Sequence, residues 1–255
     1  MTTLDVTPGP GAAPRYRALG AQTRMELRLA LRNGEQLLLT LVIPIALLLL
    51  FVKAPIAGVP KPRIDFLMPG VLALAVMSTA FTGQAIGTGF ERRYGVLRRL
   101  ATTPLSRPAL LSAKTIAVIL VEILQVAILC AVGAALGWNP HGDPAMVVGV
   151  LLLGTACFSA LGLLMAGSLR AEATLAGANL LYLVQLAIGG VAVPLTEFSD
   201  GVRHLLELLP LGAMTDGLRA VLNHGDNVPA HDWVTLAVWT GAGMLAASHW
   251  FRWDD

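Results

Sequence analysis

Long apolar stretches separated by short polar segments dominate the sequence. A helix that spans a membrane needs about 20 consecutive, mostly apolar residues. Pro44 in the first stretch predicts a kink rather than a helix end, because membrane helices tolerate proline. The pattern predicts an all-α integral membrane protein with six transmembrane helices in one domain that covers residues 36–255. The six stretches are residues 36–52, 66–88, 109–136, 145–169, 174–194 and 233–251.

The segment before the first apolar stretch combines leucines with arginines. Between Tyr16 and Asn33, apolar side chains recur among basic ones, which is typical of an amphipathic helix at a membrane surface. We expect residues 1–35 to form a cytoplasmic tail followed by such an interfacial entry helix. A positively charged flank without a further role is the alternative that the pattern leaves open.

A second amphipathic segment lies between the fifth and sixth predicted spans. Asp200, Arg203 and Glu207 alternate there with apolar residues at helical spacing, which predicts a short amphipathic helix at the outer interface. Pro210 ends that helix, and residues 211–222 predict a second short one. The segment is long enough only for a small outer cap. The apolar positions are Phe198, Val202, Leu205, Leu206 and Leu209.

Lysine and arginine are distributed unequally between the two sides of the predicted spans. Most of the 18 basic residues fall in the N-terminal segment, in the connection between the second and third spans, or at Arg170 and Arg252. Cytoplasmic flanks of membrane helices carry this excess. The distribution predicts a multi-pass protein of the cell membrane with both termini in the cytoplasm.

Composition excludes several classes of function. Charged residues make up 13% of the chain and the net charge is only +2, without the continuous basic face of a nucleic-acid-binding protein. No lysine follows a glycine-rich turn of the kind that cradles phosphate, so we expect any ATP to be bound by another chain. The five histidines are not spaced as helical ligand pairs. We therefore expect no catalytic residue, cofactor or metal site here.

The connection at residues 91–114 is the most informative part of the chain. Its basic residues surround Val96, Leu97 and Leu100, which predicts a short amphipathic helix with its apolar side against protein or membrane. Gly95 lies in the middle of this helix, where a missing side chain permits close approach of another backbone. The arrangement is typical of a docking element rather than of a plain tether.

The end of this connection contains signals for a turn and a new helix. Pro104 disfavours helical geometry at Thr103, so we expect the chain to turn there. Ser106 can cap the helix that follows, and Pro108 suits its first turn. The third span is therefore expected to begin directly after the turn.

The order of residues in this connection resembles the type-2 ABC exporter permease family, especially its small permeases of daunorubicin-resistance type. The similarity rests on Glu91 with a basic pair, on Gly95, on Leu97 with a second basic pair, and on Thr-Pro-Leu-Ser-Arg at residues 103–107. Residues 210–222 also resemble the end of that family's outer loop. The resemblance implies a permease that pairs with a second copy or a homologous permease and sits on two cytoplasmic ATPase subunits.

In that family, the connection between the second and third spans is a coupling helix. The resemblance implies that its residues contact or support the ATPase subunit, which would bind ATP and Mg in place of this chain. The implied coupling residues are Glu91, Arg92, Arg93, Gly95, Leu97, Arg98, Arg99, Leu100, Thr103, Pro104 and Leu105.

Polar residues inside two of the predicted spans are a second group of candidates. Glu122 lies near the middle of the third span, where a charge costs about 2.5 to 3.5 kcal/mol on insertion scales, and Gln125 follows on the same helical face. Asn179, Tyr182 and Gln185 form a polar stripe on the fifth span. These residues line a translocation path or subunit interface, or they bond neighbouring helices. The sequence leaves both interpretations open.

The predicted function is that of the membrane-spanning permease of an ATP-driven ABC exporter. Its expected substrate is a hydrophobic or amphipathic compound, such as a drug or lipid, moved outward across the lipid bilayer. One alternative is a polysaccharide or glycolipid exporter permease, and a less favoured one is an integral-membrane enzyme that modifies lipids. The enzyme would need convergent acid, base or metal groups, and Glu122 alone does not supply them.

Overall fold

The computed structural model describes residues 14–54, 59, 61–103 and 106–250, and every regular element within them is helical. The predicted all-α fold is confirmed for these residues. Short π-helical or 3₁₀ turns lie at Met77–Gly83, Leu195–Glu197 and Ala220–His224. The α-helices are α1 (Arg15–Arg32), α2 (Gly34–Lys53), α3 (Arg63–Val76), α4 (Gln84–Arg93), α5 (Val96–Ala101), α6 (Arg107–Ala135), α7 (Pro144–Ser168), α8 (Ala171–Ile188), α9 (Asp200–Glu207), α10 (Pro210–Arg219) and α11 (Ala230–Trp250).

The core of the bundle is one long helix, Arg63–Arg93, in which the π-helical turn joins α3 to α4. Residues 66–76 of α3 are all buried. A helix that is apolar on every side needs neighbours all round, and α3 contacts α2, α6, α7 and α10. The remaining helices therefore pack around this central element.

Four helices in the described part of the chain are long and apolar enough to cross a membrane: Arg63–Arg93, Pro108–Ala135, Pro144–Ser168 and Ala171–Ile188. They coincide with the second to fifth predicted spans. The apolar part of α2 is shorter, and α11 occupies the sixth predicted position but falls outside this set. The chain is a multi-pass helical membrane protein, and the count of six spans stays a prediction.

The helix predicted at the N-terminus is present as α1. It lies mainly along α6 and also contacts α2, and Met25, Leu29 and Leu31 are exposed on it. Its placement at the membrane surface stays a prediction. The predicted tail at residues 1–13 lies outside the described residues.

The outer segment differs from the predicted cap in the depth of its second helix. The amphipathic helix α9 is present as predicted, but Leu211, Met214 and Leu218 of α10 are completely buried. α10 packs against α3, α7 and α11. The reason is close packing at small residues: a Cβ added at Gly154 of α7 would lie 2.5 Å from Met214 Sδ. α10 is therefore a part of the bundle rather than a lid on it.

Candidate functional site

The end of α4 is held by a buried cluster of charges. Glu91 accepts a hydrogen bond from Lys114 Nζ of α6 at 2.6 Å, and the same ammonium donates to Glu26 of α1 at 3.0 Å. The Lys114 side chain is only 5% exposed. Because a buried charge is costly without a partner, this contact holds α1, α4 and α6 together. Sequence reasoning placed Glu91 near the ATPase but did not connect it with Lys114 or Glu26.

The two residues after Glu91 bond to other helices. The buried Arg92 guanidinium donates to the carbonyl oxygen of Leu169, at the C-terminal end of α7, at 2.5 Å. Arg93 forms an ion pair with Glu172 in the first turn of α8. Three consecutive residues thus connect the end of α4 to α1 and α6, to α7, and to α8. We call Glu26, Glu91, Arg92, Arg93, Lys114 and Glu172 the cytoplasmic junction, after the side on which the predicted orientation places them.

The predicted single helix is interrupted at Gly95. α4 ends at Arg93, Gly95 adopts φ 71°, and α5 begins at Val96. Within the chain itself, a Cβ added there would meet no atom within 4 Å, so the expected close approach of a partner's backbone stays a prediction. Gly95 has a left-handed backbone conformation, which residues with a side chain rarely adopt, and this conformation is what requires the glycine.

α5 has an anchored side and a free side. Leu97 is completely buried against Leu110 of α6, and Leu100 packs beside them. Arg98 and Arg99 are exposed. The helix therefore presents a basic surface while its leucines hold it on the bundle.

Tyr94 extends this exposed surface and was missed by sequence reasoning. It is 70% exposed at the end of α4, next to the basic residues of α5. The signal available in the sequence was an aromatic residue between two arginine pairs. We call the exposed side of α5, formed by Arg98 and Arg99 with Tyr94 beside them, the basic surface of α5.

The turn after α5 agrees with the predicted helix start. The Thr103 hydroxyl donates to the Leu100 carbonyl oxygen at 2.6 Å. Ser106 caps α6 by accepting a hydrogen bond from the Ala109 N–H at 3.4 Å, with proline in the first turn. The implied coupling residues Pro104 and Leu105 lie outside the described residues.

The two polar residues on α6 face different neighbours. Glu122 is buried and accepts a hydrogen bond from Thr155 of α7 at 2.5 Å. Gln125 is buried too, but it accepts from Thr79 at 2.9 Å and donates to the Thr40 carbonyl oxygen at 2.7 Å. Gln125 thus connects α6 to α2 and to the π-helical turn. These bonds agree with the interpretation in which the two side chains join neighbouring helices.

The polar stripe on α8 is arranged differently. Asn179 is exposed, and its amide donates to Leu175 on the same helix at 2.9 Å. The buried Tyr182 hydroxyl and Gln185 Oε1 have no hydrogen-bond partner among the described residues. No hydrogen bond in that part of the chain joins this stripe to the polar residues of α6.

A cavity of about 780 Å³ lies between α1, α4 and α6. Glu26, Glu91 and Lys114 line one part of it, and Thr79 and Gln84 line another. Its apolar lining residues include Leu29, Ala117, Val118 and Val121. The cavity therefore combines a charged end with largely apolar walls.

The polar wall of this cavity was also missed from the sequence. Gln84, Thr88 and Glu91 recur at a spacing of four and three residues within an otherwise apolar span, which places them on one face of a helix. Gln84 accepts a hydrogen bond from Ser159 of α7 at 2.8 Å. This spacing was the signal that could have identified the wall.

Charged groups also meet near the end of the bundle that is predicted to face outward. Asp216 of α10 lies beside His231 and Asp232 at the start of α11, with one ligand atom from each within 4.8 Å of the others. Burial, the Asp216 charge and the Glu207 charge raise the pKa of Asp232 to about 8. Sequence reasoning sought ligand pairs along one helix, whereas these three groups come from two. We call Asp216, His231 and Asp232 the outer cluster.

Arg219 lies near the outer cluster but bonds elsewhere. Its guanidinium donates to the carbonyl oxygens of Phe66 at 3.2 Å and Gly190 at 2.5 Å. It also lies 3.8 Å from the centre of the Phe66 ring. Burial lowers the pKa of Arg219 to about 10, and the charge of Asp216 opposes that shift. Arg219 therefore joins α10 to α3 and to the end of α8.

The apolar helices are those of a multi-pass membrane protein, and the comparisons with known proteins place the chain among membrane transport permeases. The chain belongs to the ABC-2 type transporter family, whose model matches residues 17–223. It is also 28% identical over 200 residues to a Bacillus subtilis (strain 168) protein named "Putative transport permease YvfS", covering 75% of this chain and 80% of that one. Permeases of this family normally work with an ABC ATPase subunit. The family resemblance in the sequence is thereby confirmed.

Proposed function

We propose that this chain is the permease subunit of an ATP-driven exporter and that its ATPase subunit docks on the basic surface of α5. The observation that carries the proposal is the pairing of that exposed surface with the cytoplasmic junction behind it. Tyr94, Arg98 and Arg99 are free to contact a partner, while Leu97 fixes α5 to α6. Both termini lie on the same cytoplasmic side in this proposal.

The junction provides a route for transmitting movement of α5 into the bundle. The end of α4 directly precedes α5, and its three terminal residues bond to α6, α7 and α8. Lys114 of α6 also bonds to Glu26 of α1. Ion pairs and hydrogen bonds in low dielectric resist separation more than exposed ones do. A displacement of α5 would therefore move several helices together rather than bend a loop.

The cavity between α1, α4 and α6 suits a hydrophobic or amphipathic cargo. Its volume of about 780 Å³ lies within the ~300 to 1,000 Å³ of typical small-molecule sites. Apolar walls favour the body of a drug or lipid, and the charged end favours a polar group. These features support a drug or lipid over a polysaccharide as the cargo.

A second permease copy or a homologous permease would cover α8. Asn179 is exposed there beside Leu180 and Leu183. Polar groups at membrane depth need protein or water rather than lipid. We infer that this face of α8 lies against the second subunit or lines the path between the two.

The docking surface can be tested by charge reversal. Arg98→Glu with Arg99→Glu is expected to abolish co-purification of an ABC ATPase with the chain and to stop ATP-dependent export, because a basic surface becomes acidic. Membrane insertion should remain, since both side chains are exposed. The amount of the chain in the membrane, the amount of ATPase that co-purifies with it and the rate of export would be measured together.

The matched control makes the same charge change on another exposed site. Arg15→Glu with Arg17→Glu alters two exposed arginines of α1 and is expected to leave ATPase recovery within about twofold of the unaltered chain, a small effect on the free-energy scale. Unchanged recovery in the Arg98 and Arg99 variant would refute docking at α5. Equal loss in both variants would show that net charge, and not this surface, controls association.

A further inference from the structure

Asp232 is the most unusual carboxylate on the outer side of the bundle. Its side chain is 1% exposed, and neither carboxylate oxygen has a hydrogen-bond partner among the described residues. The His231 ring lies beside it, with Nε2 at 3.2 Å from Oδ1. An unpaired buried carboxylate is strongly unfavourable, so this group requires a proton or a cation.

The basic residues nearby are already engaged. Arg219 donates to the carbonyl oxygens of Phe66 and Gly190. Arg203 donates to Glu207 at 2.6 Å on α9. Neither guanidinium is bonded to Asp232, which leaves the position beside this carboxylate open to a cation from outside the chain.

Two further donors face the same position. Asp216 of α10 offers a carboxylate oxygen and His231 offers an imidazole nitrogen, all within 4.8 Å of one another and of Asp232. Tetrahedral zinc sites hold such atoms on the order of 3.5 Å apart, given bonds of about 2.0 to 2.2 Å. The His231 side chain is 57% exposed, so a small rotation can complete the set.

We propose that Asp216, His231 and Asp232 bind a divalent transition-metal cation, zinc first, which ties α10 to the first turn of α11. Two carboxylates and one imidazole form a mixed nitrogen and oxygen set that suits zinc, whereas calcium and magnesium prefer oxygen ligands alone. Among common divalent ions, zinc also binds such sites more tightly than manganese. The exposed side of His231 leaves room for water at a fourth position.

The bound cation would act on the packing of the outer side. α10 contacts the central helix α3, and α11 contacts α7 and α10. Asp232 packs directly against α10, since its Oδ2 lies 3.6 Å from the position that a Cβ on Gly217 would take. A metal at this point would neutralise the buried carboxylate of Asp232 and thereby stabilise the contact between α10 and α11.

The experiment uses the full chain, purified in detergent with its affinity tag removed and then treated with a chelator. Titration with zinc chloride is followed by calorimetry, and thermal unfolding is followed by tryptophan fluorescence. One saturable site per chain is expected, and zinc at about 100 times its dissociation constant should raise Tm by roughly 5 to 10 °C. Magnesium and calcium chloride are titrated in parallel.

Variants identify the ligands. Asp232→Asn and His231→Gln are each expected to weaken zinc binding at least about tenfold, as loss of one ligand should. His204→Gln is the control, since His204 is exposed on α9 and bonds to Asp200 on its own helix. It should bind zinc like the unaltered chain. His231→Gln keeps the test decisive if Asp232→Asn does not fold.

Several results would overturn the proposal. These are the absence of saturable zinc binding in the unaltered chain, binding that Asp232→Asn and His231→Gln leave intact, and equal loss in His204→Gln. Stabilisation by magnesium or calcium equal to that by zinc would overturn the assignment to a transition metal. None of these outcomes depends on whether the chain couples to an ATPase.

Discussion

The cytoplasmic junction and the outer cluster both place carboxylates inside the helical bundle, but they differ in what lies beside them. Glu91 and Glu26 share the ammonium of Lys114, whereas Asp232 has no hydrogen-bond partner in the described residues. In the first region, opposite charges from three helices satisfy each other. In the second, carboxylates from two helices meet beside the His231 ring, and no lysine or arginine among the described residues bonds to Asp232. The first arrangement holds helices together unaided, whereas in the second a bound cation would do so under our proposal.

The difference is consistent with different roles for the cytoplasmic junction and the outer cluster. Under the proposed coupling, the junction stays intact throughout a transport cycle, and the buried ion pairs of Lys114 provide that without any other component. A site that depends on an outside cation can be filled or emptied by the surroundings. Under these proposals, the cytoplasmic junction is a permanent connection between helices, and the outer cluster is a connection that depends on a bound cation.

The largest expected effect follows from removing the shared cation. Lys114→Met leaves two carboxylates in a partly buried site and is expected to lower the free energy of unfolding by about 3 kcal/mol. Thermal unfolding in detergent, with tryptophan fluorescence as readout, measures the loss. Lys53→Met, at the exposed end of α2, serves as control and should change stability by less than about 0.5 kcal/mol.

A second substitution tests the cause of that loss. Adding Glu91→Gln to Lys114→Met removes one of the stranded charges and is expected to recover about 1 kcal/mol, because residues that share one ion-pair network are coupled. A double variant no more stable than the single one would show that packing of the lysine stem, rather than charge pairing, controls the junction.

An intermediate effect is expected at the hinge between α4 and α5. Gly95→Ala places a side chain at φ 71°, which costs about 1 to 2 kcal/mol, and it should reduce export more than membrane insertion. Gly241→Ala on α11 also adds a methyl group with no atom within 4 Å, but in ordinary helix. If both variants export equally well, the backbone conformation at Gly95 is not required for coupling.

The smallest effect, and one of opposite sign, is expected at Asp232. In chelator-treated protein, Asp232→Asn should leave the free energy of unfolding unchanged or raise it by up to about 1 kcal/mol, since a neutral amide is less costly to bury than an unpaired carboxylate. Glu91→Gln, measured in parallel, should instead destabilise. A loss above about 2 kcal/mol in metal-free Asp232→Asn would show that Asp232 has a partner within the protein.

Local features of the fold were predictable because they depend on residues close together in the chain. Ser106 and Pro108 indicated the start of α6, and Pro44 was correctly allowed inside α2. The break at Gly95 was not predicted, although glycine was noted there, because its left-handed conformation is a property of the backbone path. The basic surface of α5 could be located only once that break separated Arg93 from Arg98.

Contacts between distant residues were not predictable in the same way. Glu91 was expected to contact or support an ATPase, but its partner Lys114 is 23 residues away and Glu26 belongs to the entry helix. The burial of α10 likewise depends on the space left by α3, α7 and α11. Which side chains meet is decided by how several helices pack, and no spacing within one helix contains that information.

The sequence by itself determined that this chain is helical, that it lies in a membrane and that it belongs with the exporter permeases, because apolar length and a local motif are sufficient for those conclusions. Only the tertiary structure decided that Glu91, Arg92 and Arg93 join four helices and that Asp216, His231 and Asp232 come together. The physical reason is that charge energies inside a bundle depend on distance and burial, and both arise from packing rather than from order along the chain.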